Sequence, residues 1–464
     1  MLPVGRNQFL QPATIRFMPF EPTKDFLEQI SMAVETKGDA FILKSFSGMH
    51  PTDISEILDR LETAECKYIF GLLDSQICTD ILSNLESDTR AKFLSIFSPI
   101  EIAFFLDYAD SDDGADVLNE QPIKIREEVI AHMRNKQTAQ DVTELLRYEE
   151  DCAGGLMAKE LIRVNISWTV KQCIDEIRRQ AEHVEKILTV YVVNEKQILQ
   201  GRLSIKQLLL SSDEKLVADM LIKALETVQT YYSEEEVAEI MQKYDLESVP
   251  VVNVQGKLMG RITIDDVLDV ITEQAEIDQQ IMSGISENIE EDDSVLTLSR
   301  ARLPWLLIGT IGGLLGAQFI GFFETDLKLV PAMAFFIPLI TATGGNVGIQ
   351  SSTIVVQALA NASSFVGGTF QRLSKAFTVA LVNGVVIALV VFGFNVIFTE
   401  VRLALIVSIA LFSVVCLASL MGTITPIVLD RLGINPALAS GPFITTANDL
   451  IGLAVYFLVA RMLI

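Results

Sequence analysis

Five apolar stretches follow Leu303, at about 303–323, 330–356, 376–398, 403–427 and 442–463, and each is long enough to cross a bilayer. A hydrocarbon core about 30 Å thick takes roughly 20 apolar residues at helical rise. Only helices and closed barrels satisfy their backbones there, so this region must fold as a five-helix membrane domain. One residue runs against that pattern. Asp449 lies about seven residues into the last stretch, with no other charge between Pro442 and Ala460. A carboxylate at that depth is costly unless it faces protein, water or a cation. No Lys or Arg inside the spans is placed to pair with it, which leaves two readings. Asp449 serves a mobile cation, or it is a protonated or hydrogen-bonded carboxyl between helices.

Flanking charges set the expected orientation. Arg300 and Arg302 precede the first stretch, and Arg372 and Lys375 lie between the second and third. The opposite connections carry Glu324, Asp326 and Lys328, then Glu400 and Arg402. Counting basic residues puts the N-terminal domains and the 372–375 loop in the cytosol. Five spans then leave Arg461 and the C-terminus outside a cell inner (plasma) membrane. Nothing from Met1 to Phe20 reads as a signal peptide.

The rest of the chain is strongly acidic. Of 36 basic and 60 acidic residues, 28 and 55 fall in the first 298. Such a balance argues against nucleic acid as a partner and suits a domain that collects divalent cations, although solubility alone also explains it. Cys66, Cys78, Cys152, Cys173 and Cys416 are scattered and lack metal-ligand spacing, as in a reduced cytosol. His50, His132 and His183 are dispersed and form no site with them, so we expect no enzyme.

Two internal repeats organise this half. From Thr52 to Met133 an apolar residue recurs every twelve positions: Leu58, Phe70, Leu82, Leu94, Leu106, Leu118, Ile130. Pro51, Pro99 and Pro122 fall near helix starts, where the missing N–H is harmless. The pattern predicts an all-α superhelical N-domain of stacked short helices, a scaffold or docking surface. Farther on, Thr189–Asn194 and Gly201–Ile205 recur 59 residues later as Ser248–Asn253 and Gly260–Ile264. Each copy reads helix, β-branched strand, turn, strand, helix. This resembles a tandem pair of CBS motifs, and the resemblance implies a regulatory module that binds adenine nucleotides such as ATP or relays conformation. The sole Gly-Lys pair, Gly256-Lys257, sits in a turn and makes no P-loop, which argues against ATP hydrolysis.

The expected layout is therefore an extension at 1–24, the superhelix at 25–137, CBS motifs at 138–212 and 213–272, an acidic connecting helix at 273–299 and the pore domain at 300–464. The connecting segment carries Glu273, Glu276, Asp278, Glu287, Glu290, Glu291, Asp292 and Asp293. It reads as a solvated linker or, from its position, as a gating lever.

This order of parts is similar to that of the MgtE family of magnesium channels and transporters. The likeness is carried by His50-Pro-Thr-Asp53, Asp151-Cys-Ala-Gly-Gly-Leu-Met157, Gly344-Gly-Asn-Val-Gly-Ile-Gln350 and the run from Asn435 to Thr446 followed by Asp449. It covers roughly residues 25–464. The resemblance implies a homodimer with an ion pathway on its axis, lined by the second and fifth spans. In it Asp449 would hold hydrated Mg²⁺, with Ala342, Gly345, Thr353 and Thr445 around it. Asn346 and carbonyls freed by the glycines suit a water-filled path, although tight helix packing also explains such glycines. Two carboxylates across a dimer axis fit an ion that keeps its waters.

The resemblance also implies closure by cytosolic Mg²⁺ at Asp112, Asp116, Glu235, Asp245, Asp266, Asp269 and Asp278. The chain departs from the family pattern at Ile349 and Gly441, where Asn is common, and at Gln274 and Ile277, where acids are common. The first pair puts strict Mg²⁺ preference over other divalent cations in doubt, and the second implies weaker sensing. A divalent exporter or ion-coupled carrier is the alternative within transport. A membrane-anchored nucleotide sensor is the alternative outside it, but an anchor needs neither Asp449 nor a glycine-broken span.

Overall fold

The structure is a computed structural model that describes residues 22–85, 87–181, 184, 186–286, 289, 293–360 and 369–463. It divides into two compact units, Met1–Val270 and Ile271–Ile464.

The twelve-residue period becomes a stack of short helices. Ten of them, eight to twelve residues long, follow one another from Lys24 to Leu145. Leu58, Phe70, Leu82, Leu94, Leu106 and Leu118 are all buried. At the seventh position the core is filled by the neighbour, Val129, and Ile130 packs only in part. Pro51 and Pro99 open their helices at the first turn, and Pro122 is an N-cap. The repeat also fixes the helix ends. The Cys66 thiol donates to the Leu58 carbonyl (3.2 Å), and Cys78 donates to Phe70 (3.5 Å). Arg90 Nη1 donates to Leu82 (3.2 Å), and Arg126 Nε donates to Leu118 (3.0 Å). In each case a side chain eight positions on satisfies a carbonyl orphaned where the helix stops. Burial pushes both thiols up to about 12, so these cysteines are structural rather than reactive.

The 59-residue repeat becomes two matching sheets. In the first, β1 (Ile162–Asn165) runs parallel to β2 (Val190–Val193), which pairs antiparallel with β3 (Leu199–Leu203). The second repeats this order with β4 (Val228–Gln229), β5 (Ser248–Val252) and β6 (Leu258–Thr263). Both hairpins bulge at the same place, Val192/Val193 and Val251/Val252. The hairpin turns bond to each other, Leu199 N–H to the Gly256 carbonyl and Leu258 N–H to that of Gln197, both at 3.0 Å. Gln197 and Gly256 occupy the same left-handed position in the two turns, and Asn194 and Asn253 close them through their side-chain oxygens. The Asp151–Met157 motif joins the superhelix to the second sheet. Ala153 N–H donates to Tyr232 O and Gly154 N–H donates to Thr230 O, and a Cβ at Gly154 would crowd Tyr148.

Among the described residues, five helices in the second unit are long and apolar enough to cross a membrane. We term them the first to fifth spans: Val295–Gly321, Ile337–Ala360, Thr369–Phe398, Val401–Arg431 and Gly441–Leu463. The fourth is the most enclosed, and the second, third and fifth pack against it.

The expectation of one connecting helix over 273–299 is not met. The helix that begins at Ile264 ends at Met282, and the next begins at Val295 behind the Ser294 cap. Gly284 adopts φ +82°, a left-handed stop that terminates helices. The Gln280 side chain then holds Ile289 through both its backbone groups. Glu287, Glu290, Glu291 and Asp292, like His183, lie outside the described residues.

Leu118→Ala is expected to destabilise the superhelix by about 2–5 kcal/mol, as for other buried leucines. Chemical denaturation of the purified full-length protein, followed by circular dichroism, checks this. A change below about 0.5 kcal/mol, typical of surface sites, would mean that the twelve-residue layers are not a packed core.

Candidate ion pathway and cation cleft

The glycines of the second span do two jobs. Gly344 and Gly348 are buried, and a Cβ at Gly348 would overlap Asn448 Nδ2 of the fifth span. A Cβ at Gly422 of the fourth span would likewise overlap the Gly348 carbonyl. These residues serve close helix packing. Gly345 instead faces the charge: its Cβ position lies 3.7 Å from Asp449 Oδ1 and 3.2 Å from Thr445 Cγ2. Close packing therefore accounts for Gly348 and Gly422, whereas Gly345 is where the second span approaches the carboxylate.

Asp449 is half-buried, and Thr445 stands one turn before it, donating to the Gly441 carbonyl (2.9 Å). Among the described residues, no ion pair involves Asp449. Ala342, Asn346 and Thr353 share one face of the second span by helical spacing. Ala342 and Asn346 are exposed in the single chain, and Ile349, on the same stripe, is partly so. The expected pathway residues thus form an open stripe edged by Gly345 and Asp449. Asn448 was missed. Its signal, a second polar residue inside the same apolar stretch, was present but overshadowed by the adjacent charge.

Gly441 has a backbone reason to be glycine. It adopts φ +59°, and a Cβ there would overlap the Met282 carbonyl. Gly284, across the junction, would place a Cβ 2.6 Å from Pro442 Cγ. The turn after Met282 therefore lies flush on the start of the fifth span. Asp278 joins the same junction, accepting from Asn435 Nδ2 (3.1 Å) and Gln274 Nε2 (3.3 Å). Its carboxylate is held by neutral amides rather than by other acids.

In the first unit, a cavity of about 580 Å³ gathers carboxylates. Asp112 and Asp266 line it, joined by Asp110, Asp113, Glu247 and Asp265, with Lys186 and Arg261 as the basic residues. Local structure fixes these groups. Asp266 accepts from Thr263 N–H (3.0 Å) and Oγ1 (2.6 Å) at the start of its helix. Asp112 sits in the first turn of Ser111–Asn119, a helix whose Ser111 N–H and hydroxyl both donate to Glu160. Arg261 is 6% exposed and donates through Nη1 to the Lys186 carbonyl, with no partner for Nε among the described residues. Burial, then the charges of Asp266, Asp113, Glu160 and Asp110, hold the Asp112 carboxyl well above the usual range. Burial also raises Asp266, against the hydrogen bonds from Thr263.

The remaining expected sensing residues do not join this cavity. Asp116 is exposed on the Asp112 helix, Glu235 is exposed at the start of Glu234–Lys243, and Asp245 is exposed in a left-handed turn. Asp269 is exposed one turn beyond Asp265. Among the described residues, no three His, Cys, Asp or Glu side chains converge on a metal-sized site. A hydrated ion that needs only one or two carboxylates fits the Asp112–Asp266 pair.

Five membrane-length helices with a half-buried carboxylate in the last, in one chain with a helical stack and a paired α/β module, are the features of a cation transporter with additional domains. The sequence profile described as divalent cation transporter matches residues 337–459. The MgtE intracellular N domain matches 49–151, and a CBS domain matches 217–273. The chain is 32% identical to the magnesium transporter MgtE of Thermus thermophilus, covering 92% of this chain and 96% of that protein. It is 30% identical to the magnesium transporter MgtE of Bacillus subtilis, covering 90% and 92%. Among solved structures, the cytosolic domain of the Mg²⁺ channel MgtE in complex with ATP is 31% identical, covering 53% of this chain and 99% of that one at a TM-score of 0.49. The chain belongs to the MgtE family of magnesium transporters.

The cavity carries a pH signature. Unfolded carboxylates titrate near pH 3.9, whereas folded Asp112 holds its proton to higher pH. Its contribution to stability is therefore present below about pH 4 and lost as pH rises through the raised value. At neutral pH without divalent cations, Asp112→Asn is expected to raise the melting temperature by a few degrees, the scale of about 1 kcal/mol. It should also shrink the further rise on adding Mg²⁺. Unchanged melting in both conditions would show that the carboxylates do not repel one another.

Proposed function

We propose that the protein carries Mg²⁺ across the cell inner membrane along the Asn346–Asp449 stripe, in a homodimer whose second copy shields that stripe from lipid. The observation that supports this most directly is the Asp449 carboxylate, seated against Gly345 at membrane depth with no basic partner among the described residues. Two such carboxylates facing each other would hold an ion that retains its water. Exposed polar groups such as Asn346 are costly against hydrocarbon, and a second copy across the stripe removes that cost. On this reading, the basic loops keep the first unit in the cytosol and the C-terminus outside.

Selectivity should be looser than in relatives with Asn at both departing positions. Ile349 gives the stripe an apolar side chain, and Gly441 offers none. Outer-sphere waters held by fewer polar partners are less well arranged, so Mn²⁺ and Co²⁺ should compete with Mg²⁺.

Cytosolic Mg²⁺ would act on the first unit at the Asp112–Asp266 cavity. One unshielded pair of carboxylates about 4 Å apart costs about 4 kcal/mol at an effective dielectric of about 20. Bound cations reverse that sign and favour the compact arrangement, by linkage. A nucleotide role for the tandem module stands on its CBS architecture alone. Nucleotide phosphates would meet Asp110, Asp112, Asp113 and Asp265 in this cavity, and the cation reading is therefore favoured there.

Asp449→Asn should lower Mg²⁺ flux into liposomes at least tenfold while leaving the size and melting of the purified protein unchanged. Flux at the wild-type rate would reduce Asp449 to a packing residue. Gly441→Asn should break the fit against Met282 and shift the Mg²⁺ concentration that inhibits flux by severalfold. An unchanged inhibition curve would mean that the junction takes no part in gating.

A further inference from the structure

Asn448 and Asp449 are consecutive polar residues of the fifth span, yet the fold treats them in opposite ways. Asp449 is half-open, whereas Asn448 is 2% exposed. Neither Oδ1 nor Nδ2 of Asn448 has a hydrogen-bond partner among the described residues. Among the described residues, every other buried polar side chain of the spans is satisfied. Asn395 donates to the Val391 carbonyl, Ser408 to Ala404 and Thr423 to Ser419. Ser352 donates to the Ala439 carbonyl, and Ser419 accepts from Ser351. Asn448 is the exception, and it lies beside the carboxylate assigned to the ion.

Its surroundings explain why nothing answers it. The amide fills the notch left by Gly348, flanked by Ile444 one turn earlier. Gly344 lies close to the Asn448 carbonyl, 3.7 Å from its Cβ position, and Val414 of the fourth span closes the far side. Glycine and branched aliphatic residues offer the amide no side-chain partner. A buried amide without one is strongly disfavoured in an apolar setting. A leucine of similar size would fill the notch without that cost, so the amide is not explained by packing in this conformation.

We propose that Asn448 is a positioning residue for the hydrated cation, sealed in the Gly344–Gly348 notch here and turned to the pathway when the second and fifth spans part. Waters bound to a divalent cation point their hydrogens outward, and the amide Oδ1 is an acceptor placed one residue from Asp449. Asp449 supplies charge, and Asn448 fixes the arrangement of the water that the ion keeps. The inference rests on Asp449 belonging to the ion pathway.

The test uses the full-length protein in liposomes. Asn448→Leu should fold with unchanged or higher melting temperature, lower Mg²⁺ flux at least tenfold and flatten the ratio of Mg²⁺ to Ca²⁺ flux. Asn448→Ser, which keeps a polar oxygen, should retain more of that ratio than the leucine variant. In a background with the five native cysteines replaced, Asn448→Cys should react with a charged thiol reagent and be slowed by saturating Mg²⁺. Phe457→Cys, in the packed interior, should not react. Wild-type flux and ion ratio for Asn448→Leu would overturn the proposal, as would a cysteine at 448 as inert as one at 457. If Asp449→Asn leaves flux intact, the pathway reading itself fails, and that result is read separately.

Discussion

The membrane unit depends on the close approach of the second span to the fourth and fifth. Gly348 sits where a single methyl group would collide with Asn448, and Gly422 sits where one would collide with the Gly348 carbonyl. Dispersion between such surfaces and the short serine contacts of Ser351 with Ser419 and Ser352 with Ala439 replace the hydrophobic drive that helices lack inside a bilayer. The first span joins by the same device, since a Cβ at Gly312 would overlap Thr446. Because the helices are locked at this distance, Asp449 is brought against Gly345 rather than against a side chain. The carboxylate is left half-buried beside a glycine rather than sealed into the packing.

The first unit is organised differently. Its helical stack and paired sheets are held by ordinary packing and satisfied helix ends, and these can support a cavity in which carboxylates face each other. The Thr263 hydrogen bonds hold Asp266 in place, and the Ser111–Glu160 contact holds the helix of Asp112. Burial, and then the charges of the neighbouring acids, is why Asp112 favours its proton. Arg261 lies within the same wall, buried and only partly bonded. Its charge offsets some of the negative field of the acids around it.

Periodicity was the most readable signal. The twelve-residue repeat, the 59-residue repeat and the five apolar stretches each impose a pattern that burial makes visible in the residues themselves. Asp449 was legible because charge in an apolar run needs a reason. The end of the connecting helix was not, because residues 283–298 mix acidic, polar and aliphatic residues, most of which tolerate helix. What stops the helix is one glycine with a left-handed backbone. The acidic cavity was legible only in part. Asp112 and Asp266 came from resemblance, whereas Asp110, Asp113, Glu247, Lys186 and Arg261 arrive from four separate segments that only the fold brings together. Asn448 was hidden for a simpler reason: an asparagine in a span raises no alarm until its partners are sought and none is found.

The junction at Met282 has a consequence for how such chains diverge. Gly284 and Gly441 each leave the room that the other's segment occupies, one beneath Pro442 and the other beneath the Met282 carbonyl. Neither position is free to vary alone while the turn keeps this seat. A lineage that gains a side chain at 441 must lift or reshape the turn, and then nothing holds 284 to glycine. Across homologues, the residues at 284 and 441 should therefore change together, although 157 positions separate them in sequence. That paired drift would mark which members keep a seated turn and which have replaced it with a polar contact.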